Sequence, residues 1–133
     1  MARRRVLLVG GDPRVVAACS EYLRRGDSYE VESIDYCDDA LTALSQQRFD
    51  VVLLFSVFAR WRTLPSRKAR FGGIELLKQM RTLDIRVPVV VVSASTLEQA
   101  KREALANGAF AFMPQPVNLA ELGEALKKAG VGG

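Results

Sequence analysis

Three short, wholly apolar runs constrain this chain more than any other feature: Val6-Leu7-Leu8-Val9, Val51-Val52-Leu53-Leu54-Phe55 and Val89-Val90-Val91-Val92. Runs of this kind have no polar face, so they read as strands covered on both sides. Between them lie segments whose apolar residues recur at helical spacing. Val15, Val16, Cys19 and Leu23 mark the first; Ala40, Leu41 and Leu44 the second; Ile74, Leu77 and Met80, with Leu76 and Leu83, the third. Leu97, Ala100, Ala104 and Leu105 define a fourth, and Leu119, Leu122 and Leu126 a fifth. Residues 29–36 mix Val31 and Ile34 with three acids, which suits an edge strand, and residues 109–113 form a last short strand. The order βαβαβαβαβα predicts one α/β domain with a parallel sheet covered on both faces. Such a sheet places its functional crevice at the carboxyl ends of the strands.

Capping residues set the expected boundaries. Asp12 stands at an N-cap with Pro13 at the first helical position. Asp38 or Asp39 is expected to cap the second helix, Ser95 with Glu98 the fourth, and Asn118 with Glu121 the fifth. Gly26-Asp27 and Asn107-Gly108 supply helix stops, and residues 130–133 read as a frayed tail. Residues 56–72 fit no element. At 17 residues this loop exceeds ordinary connections, which marks function or disorder.

Composition closes several routes. Hydrophobic residues make up 49% and charged residues 26% of the 133, a globular balance. No apolar run approaches the roughly 20 residues of a membrane span. The basic start is followed by too short an apolar run for a signal peptide. Cys19 and Cys37 form no CxxC pair, so neither a disulfide framework nor a zinc site is suggested, and a cytoplasmic protein is expected. The absence of histidine removes the commonest general base and excludes a Ser-His-Asp triad. No nucleophile–base pair can be assembled from the strand ends, so an enzyme is not expected.

The net charge of +4 is unevenly distributed. Arg3, Arg4, Arg5, Arg60, Arg62, Arg67, Lys68 and Arg70 supply eight of the 19 positive charges, from a tail and the long loop, and neither segment holds an acid. Basicity thus belongs to those segments rather than to the fold, and is a weak hint of nucleic-acid binding.

Six pieces in order and spacing give the chain a family likeness: Val6 to Val9 running into Asp12-Pro13; Phe49-Asp50-Val51-Val52-Leu53-Leu54; Gly73-Ile74-Glu75-Leu76-Leu77; Val87-Pro88-Val89-Val90 into Ser93-Ala94; Ala104-Leu105-Ala106-Asn107-Gly108-Ala109; and Pro116 ahead of an Asn-capped helix. With these, the chain resembles the receiver domain of bacterial response regulators. The resemblance implies a flavodoxin-like (βα)5 three-layer sandwich, with a five-stranded parallel sheet of order 2-1-3-4-5. It also implies a role in two-component, phosphorelay-type signalling, here with no output domain on the chain.

The chemistry that the resemblance implies is not carried by the residues. A receiver of this type has two acids after the first strand to hold Mg²⁺; here they are Gly10 and Gly11. The phosphoacceptor aspartate is replaced by Phe55, and the lysine before Pro116 by Gln115. The hydroxyl ending the fourth strand survives as Ser93, and Phe112 stands at the switch aromatic position. Asp12 is explained as a helix cap rather than as a displaced metal ligand. A phenyl ring cannot form an acyl phosphate, glycine offers Mg²⁺ no side-chain oxygen, and glutamine supplies no positive charge to a transferring phosphoryl group. The expectation is a pseudo-receiver without a cofactor, with Mg²⁺ binding lost and the Phe55 ring packed over Gly10-Gly11.

Partners are open at this stage. The most favoured is a protein of a signalling pathway: a kinase, an output protein or a second copy. Arg60, Trp61, Arg62, Arg67, Lys68 and Arg70, with Phe58 and Phe71 nearby, suit docking of an acidic protein or lipid headgroups, tracking of single-stranded nucleic acid together with Arg3 to Arg5, or a solvated loop anchored by Trp61. A small ligand sensed beside Ser93 and Gln115 is a further alternative. Phe110 and Phe112 form a partner surface, or one ring points inward and the other is an isolated exposed aromatic.

Overall fold

The computed structural model describes residues 3–26, 28–63, 71–93 and 98–131. Ten elements alternate along it: β1 (Arg4–Val9), α1 (Pro13–Arg24), β2 (Tyr29–Ile34), α2 (Cys37–Gln46), β3 (Val51–Leu54), α3 (Gly72–Thr82), β4 (Val89–Ser93), α4 (Glu98–Ala106), β5 (Ala111–Pro114) and α5 (Leu119–Val131). The five strands form one sheet in the order β2-β1-β3-β4-β5, every neighbouring pair parallel. This is the expected (βα)5 three-layer sandwich, with β2 at one edge.

The apolar runs are buried because each face of the sheet meets helices. Successive strand residues point to opposite faces. Leu7, Val9, Val52, Leu54, Val89 and Val91 therefore meet α2, α3 and α4, while Val6, Leu8, Val51, Leu53, Phe55, Val90 and Val92 meet α1 and α5. Small helical residues, Ala40 and Ala43 in α2 and Ala100 and Ala104 in α4, let those helices approach closely. No helix among the described residues is long and apolar enough to cross a membrane.

Several boundaries differ from the sequence expectation. Asp38 and Asp39 do not cap α2: the N-cap is Tyr36, without a side-chain cap bond, and Cys37 N donates instead to the Arg60 carbonyl at 2.9 Å. The long loop itself takes over the cap. Gly72, read as the end of that loop, opens α3. α5 continues to Val131, through part of the segment read as frayed, because Leu122, Leu126 and Ala129 hold it to the sheet. The basic start is not a free tail. Arg4 and Arg5 belong to β1, and Arg5 faces Glu30, Glu32 and Gln47 with its guanidinium 4.6 Å from the Phe49 ring centre. Ser95, expected in a cap, lies outside the described residues, whereas Asn118 Oδ1 does accept from Glu121 N at 3.0 Å.

Candidate functional site

Parallel registration brings the candidate residues to one end of the sheet. Val9 pairs with Leu54, Leu54 with Val91, and Ser93 with Pro114, so the residues that follow β1, β3 and β5 emerge beside the last residue of β4. Phe55 N donates to the Val9 carbonyl at 3.0 Å, Gly10 N to Ile34 at 2.8 Å and Gln115 N to Ser93 at 3.1 Å. The Gln115–Pro116 peptide bond is cis. Gly10, Gly11, Phe55, Ser93 and Gln115 are therefore neighbours in space, as their places at the strand ends require.

Phe55 is buried, 1% exposed, on the α1/α5 side of the sheet. A Cβ placed on Gly11 would fall 2.4 Å from Phe55 Cβ and 2.9 Å from its Cγ, closer than real carbon atoms pack. Gly11 also has φ +91°, and Gly10 has φ +71°. Both conformations are costly for any residue with a side chain. Phe55 thus packs against Gly11. The space beside Gly10 belongs instead to Ala59, whose Cβ lies 3.3 Å from where a Gly10 Cβ would sit. Ala59 carried no sequence signal of its own; the Gly72-Gly73 pair that lets its loop descend was the available clue.

Asp12 is the nearest carboxylate in sequence, and it caps α1: Oδ1 accepts from Arg14 N at 2.8 Å and the residue has extended backbone. Among the described residues no three His, Cys, Asp or Glu side chains gather as metal ligands. The groups beside Phe55, one engaged aspartate with two glycines and the phenyl ring itself, do not fit a hard divalent cation. Ser93 is buried, 1% exposed, while Gln115 is half-buried and faces an apolar groove of about 550 Å³ formed with Val15, Ala18, Pro116, Val117 and Leu119.

Phe112 is half-buried against the α2–α4 core, whereas Phe110 is 45% exposed. Phe110 is not isolated: with Leu105, also exposed, it lines a groove of about 570 Å³ between the C-terminal end of α3 and that of α4.

The start of the long loop is held at many points. Phe58 N donates to Ser56 Oγ at 2.9 Å, and Gly73 N to the Val57 carbonyl at 2.8 Å. Trp61 is half-buried and gives its indole Nε1–H to the Gly72 carbonyl at 2.8 Å, closing the two ends of the loop on each other. Asp38 accepts from Arg62 N at 2.7 Å and from Thr63 N at 3.1 Å. Burial raises the pKa of that carboxyl, but the N–H groups of Arg62 and Thr63, its own backbone N–H and the Arg62 guanidinium outweigh burial and leave it below the ordinary value. Arg60 and Arg62 lie 5.4 Å and 4.3 Å from the Tyr36 ring centre. Arg67, Lys68 and Arg70 lie outside the described residues. Among the described residues the two sets of arginines do not combine: Arg4 and Arg5 open β1, while Arg60 and Arg62 follow β3, at the opposite end of the sheet.

Comparison with known proteins places this geometry. The model of the response regulator receiver domain matches residues 6–127. The transcriptional regulatory protein ZraR of Salmonella typhimurium is 29% identical over 126 residues, which are 93% of this chain and 26% of that protein. The transcriptional activator protein PfeR of Pseudomonas aeruginosa is 31% identical over 118 residues, 89% of this chain and 35% of that protein. The chain thus spans about a quarter to a third of the length of these relatives. The signal receiver domain of the putative response regulator NarL from Mycobacterium tuberculosis superposes with a TM-score of 0.82 at 20% identity, covering 100% of both chains. The receiver domain of the sensor histidine kinase PA1611 from Pseudomonas aeruginosa, solved with a magnesium ion in its active-site cleft, superposes with a TM-score of 0.79 at 22% identity, covering 98% of this chain and 99% of that one. Family model, element order and strand-end geometry agree: this chain belongs to the response regulator receiver domain family of two-component systems.

Proposed function

We propose that this chain is a pseudo-receiver: a cytoplasmic signalling module of a two-component pathway that works through protein contacts, without phosphorylation, Mg²⁺ or catalysis of its own. The observation that carries this reading is the Phe55–Gly11 pair. The family resemblance puts residue 55 at the phosphoacceptor position, and its buried ring supports the reading, with Cβ 2.4 Å and Cγ 2.9 Å from where a side chain at residue 11 would begin. Phosphotransfer needs a carboxylate nucleophile, oxygen ligands for the cation and a positive charge on the transferring group. Phe55, Gly10 with Gly11, and Gln115 supply none of these.

A working receiver moves between two states because phosphate binds one of them better. Without that ligand the equilibrium is set by a partner or by abundance. The regulators that the relatives are named for carry much longer chains, so kinases, output proteins and a second copy of this chain are the partner classes considered. A ligand entering beside Ser93 would have to displace the buried Phe55 ring, so the small-ligand alternative has less support.

The test is incubation with acetyl phosphate and Mg²⁺ followed by intact-mass spectrometry. The expected spectrum is that of the unmodified chain. An acid-stable, hydroxylamine-labile phosphate adduct on the wild-type protein would overturn the proposal.

A further inference from the structure

Residues 56–63 form a loop tied down by several hydrogen bonds, and it holds two arginines and a phenyl ring outward. Ser56 Oγ, the Ser56 carbonyl, both Asp38 carboxylate oxygens and the Gly72 carbonyl accept hydrogen bonds from it, while its Val57 and Arg60 carbonyls accept from Gly73 N and Cys37 N. Glycines at 72 and 73 are needed for this closeness: a Cβ on Gly72 would meet the Ala59 carbonyl oxygen at 1.9 Å, and one on Gly73 the Ser56 carbonyl oxygen at 2.4 Å. Phe58 stands 53% exposed above this frame, its ring edge-on to the buried Phe71 at 5.3 Å between centres.

We infer that Phe58, Arg60 and Arg62, backed by the Tyr36 ring, form a preordered platform for an acidic segment of a partner protein, one that presents an apolar side chain to Phe58 and carboxylates to the arginines. This rests on the reading of the chain as a protein-contact module, and names the chemistry of the contact. Among the described residues no carboxylate forms an ion pair with Arg60, while Arg62 pairs with the exposed Asp39 at 3.2 Å and its charge also acts on Asp38. Such an exposed pair is worth little and is easily exchanged for another carboxylate. Exposed arginine beside an aromatic ring is the combination from which strong contact residues are drawn. A loop already fixed in place has less entropy to lose on binding.

Nucleic acid fits less well. Single-stranded binding needs several open aromatic faces. Here Trp61 has spent its N–H on Gly72, Phe71 is buried, and Tyr36 is covered by the two guanidinium groups, which among the described residues of this loop and its neighbours leaves Phe58 as the exposed ring.

The experiment is fluorescence anisotropy with three labelled probes: a short Glu-rich peptide carrying one Leu, a Lys-rich peptide of the same length, and an oligo-dT of matched charge. The expected result is binding of the Glu-rich peptide that exceeds the oligo-dT, is absent for the Lys-rich peptide, weakens about tenfold in Arg60→Gln/Arg62→Gln and about fivefold in Phe58→Ala, and is unchanged in Lys101→Gln/Arg102→Gln on α4. Circular dichroism of each variant separates lost contact from lost fold. No binding of the Glu-rich peptide, equal binding by the Arg60→Gln/Arg62→Gln variant and wild type, or tighter binding of oligo-dT would overturn the platform. Each of these leaves the acetyl phosphate result untouched, so failure of the platform is distinguishable from failure of the pseudo-receiver reading.

Discussion

Gly11 and Phe55 exclude each other's alternatives: the Cβ that any other residue would place at 11 lies 2.4 Å from Phe55 Cβ, and the backbone there has φ +91°. Residues 11 and 55 are therefore one packing unit. The closest overlap is with a Cβ, which every residue but glycine would carry at 55, so it is the close approach of the two backbones that leaves residue 11 no room for a side chain, and a turn of left-handed residues tolerates nothing but glycine at low cost.

Restoring an acid at one position is accordingly expected to damage the fold before it restores any chemistry. Gly11→Ala should lose about 1–3 kcal/mol from backbone strain and overlap, read by urea denaturation with an unchanged slope. Gly11→Asp should lose at least as much and gain no Mg²⁺ affinity by isothermal calorimetry.

Phe55 is among the largest fully buried side chains of the α1/α5 core. Phe55→Ala should cost about 3–5 kcal/mol, and Phe55→Leu distinctly less. Phe55→Asp restores the nucleophile type but buries a carboxylate without a cation, so it should be at least as destabilised as Phe55→Ala and still give no adduct with acetyl phosphate. A stable, phosphorylated Phe55→Asp protein would show that the pocket had kept more of its chemistry than its residues suggest.

Trp61 is the single tryptophan, so its fluorescence reports on the loop alone. Asp38 holds that loop with a carboxyl whose pKa lies below the ordinary value. A group depressed in the folded state contributes stability that is complete above its unfolded pKa, about 3.9, and that disappears as pH falls through the folded value. Trp61 emission should therefore shift in acid below the ordinary aspartate range. In Asp38→Asn, which cannot accept both N–H bonds, the loosened signal should be present at neutral pH and that acid transition absent.

Both thiols are buried. Burial raises the Cys19 pKa, and burial together with the Asp38 charge pushes Cys37 up to about 12. Iodoacetamide at mildly alkaline pH should leave both unmodified in the native protein and alkylate both in guanidinium, by mass spectrometry. Fast native labelling of Cys37 would mean that its contacts with the Arg60 and Gly72 carbonyls open readily.

The strands, the helices and the strand order were legible because each rests on local rules or on a family likeness carried by residues in order. Val6 to Val9 and Val89 to Val92 could be nothing but covered strands, and Asp12-Pro13 and Asn118 mark helix starts whose bonds the structure contains. Asp38 misled because a carboxylate at a helix start is normally a cap. Here it turns to a loop 24 residues away, and a backbone carbonyl from that loop does the capping. Arg5 misled in the same way: adjacent to other arginines in sequence, it is opposite Glu30 and Glu32 in space.

The sequence by itself determined the alternation of strands and helices and the chemical inventory of the strand ends, since apolar periodicity and the identity of residues 10, 11, 55 and 115 require no knowledge of distant neighbours, while the strand order followed from the family resemblance. Only the tertiary structure decided how those residues share space, which acids the arginines of the described residues meet, and where the start of the long loop is tied. Those outcomes depend on contacts between residues far apart in the chain, formed when the parallel sheet brings strand ends together. Charge and packing act through distance in space, which sequence position does not report.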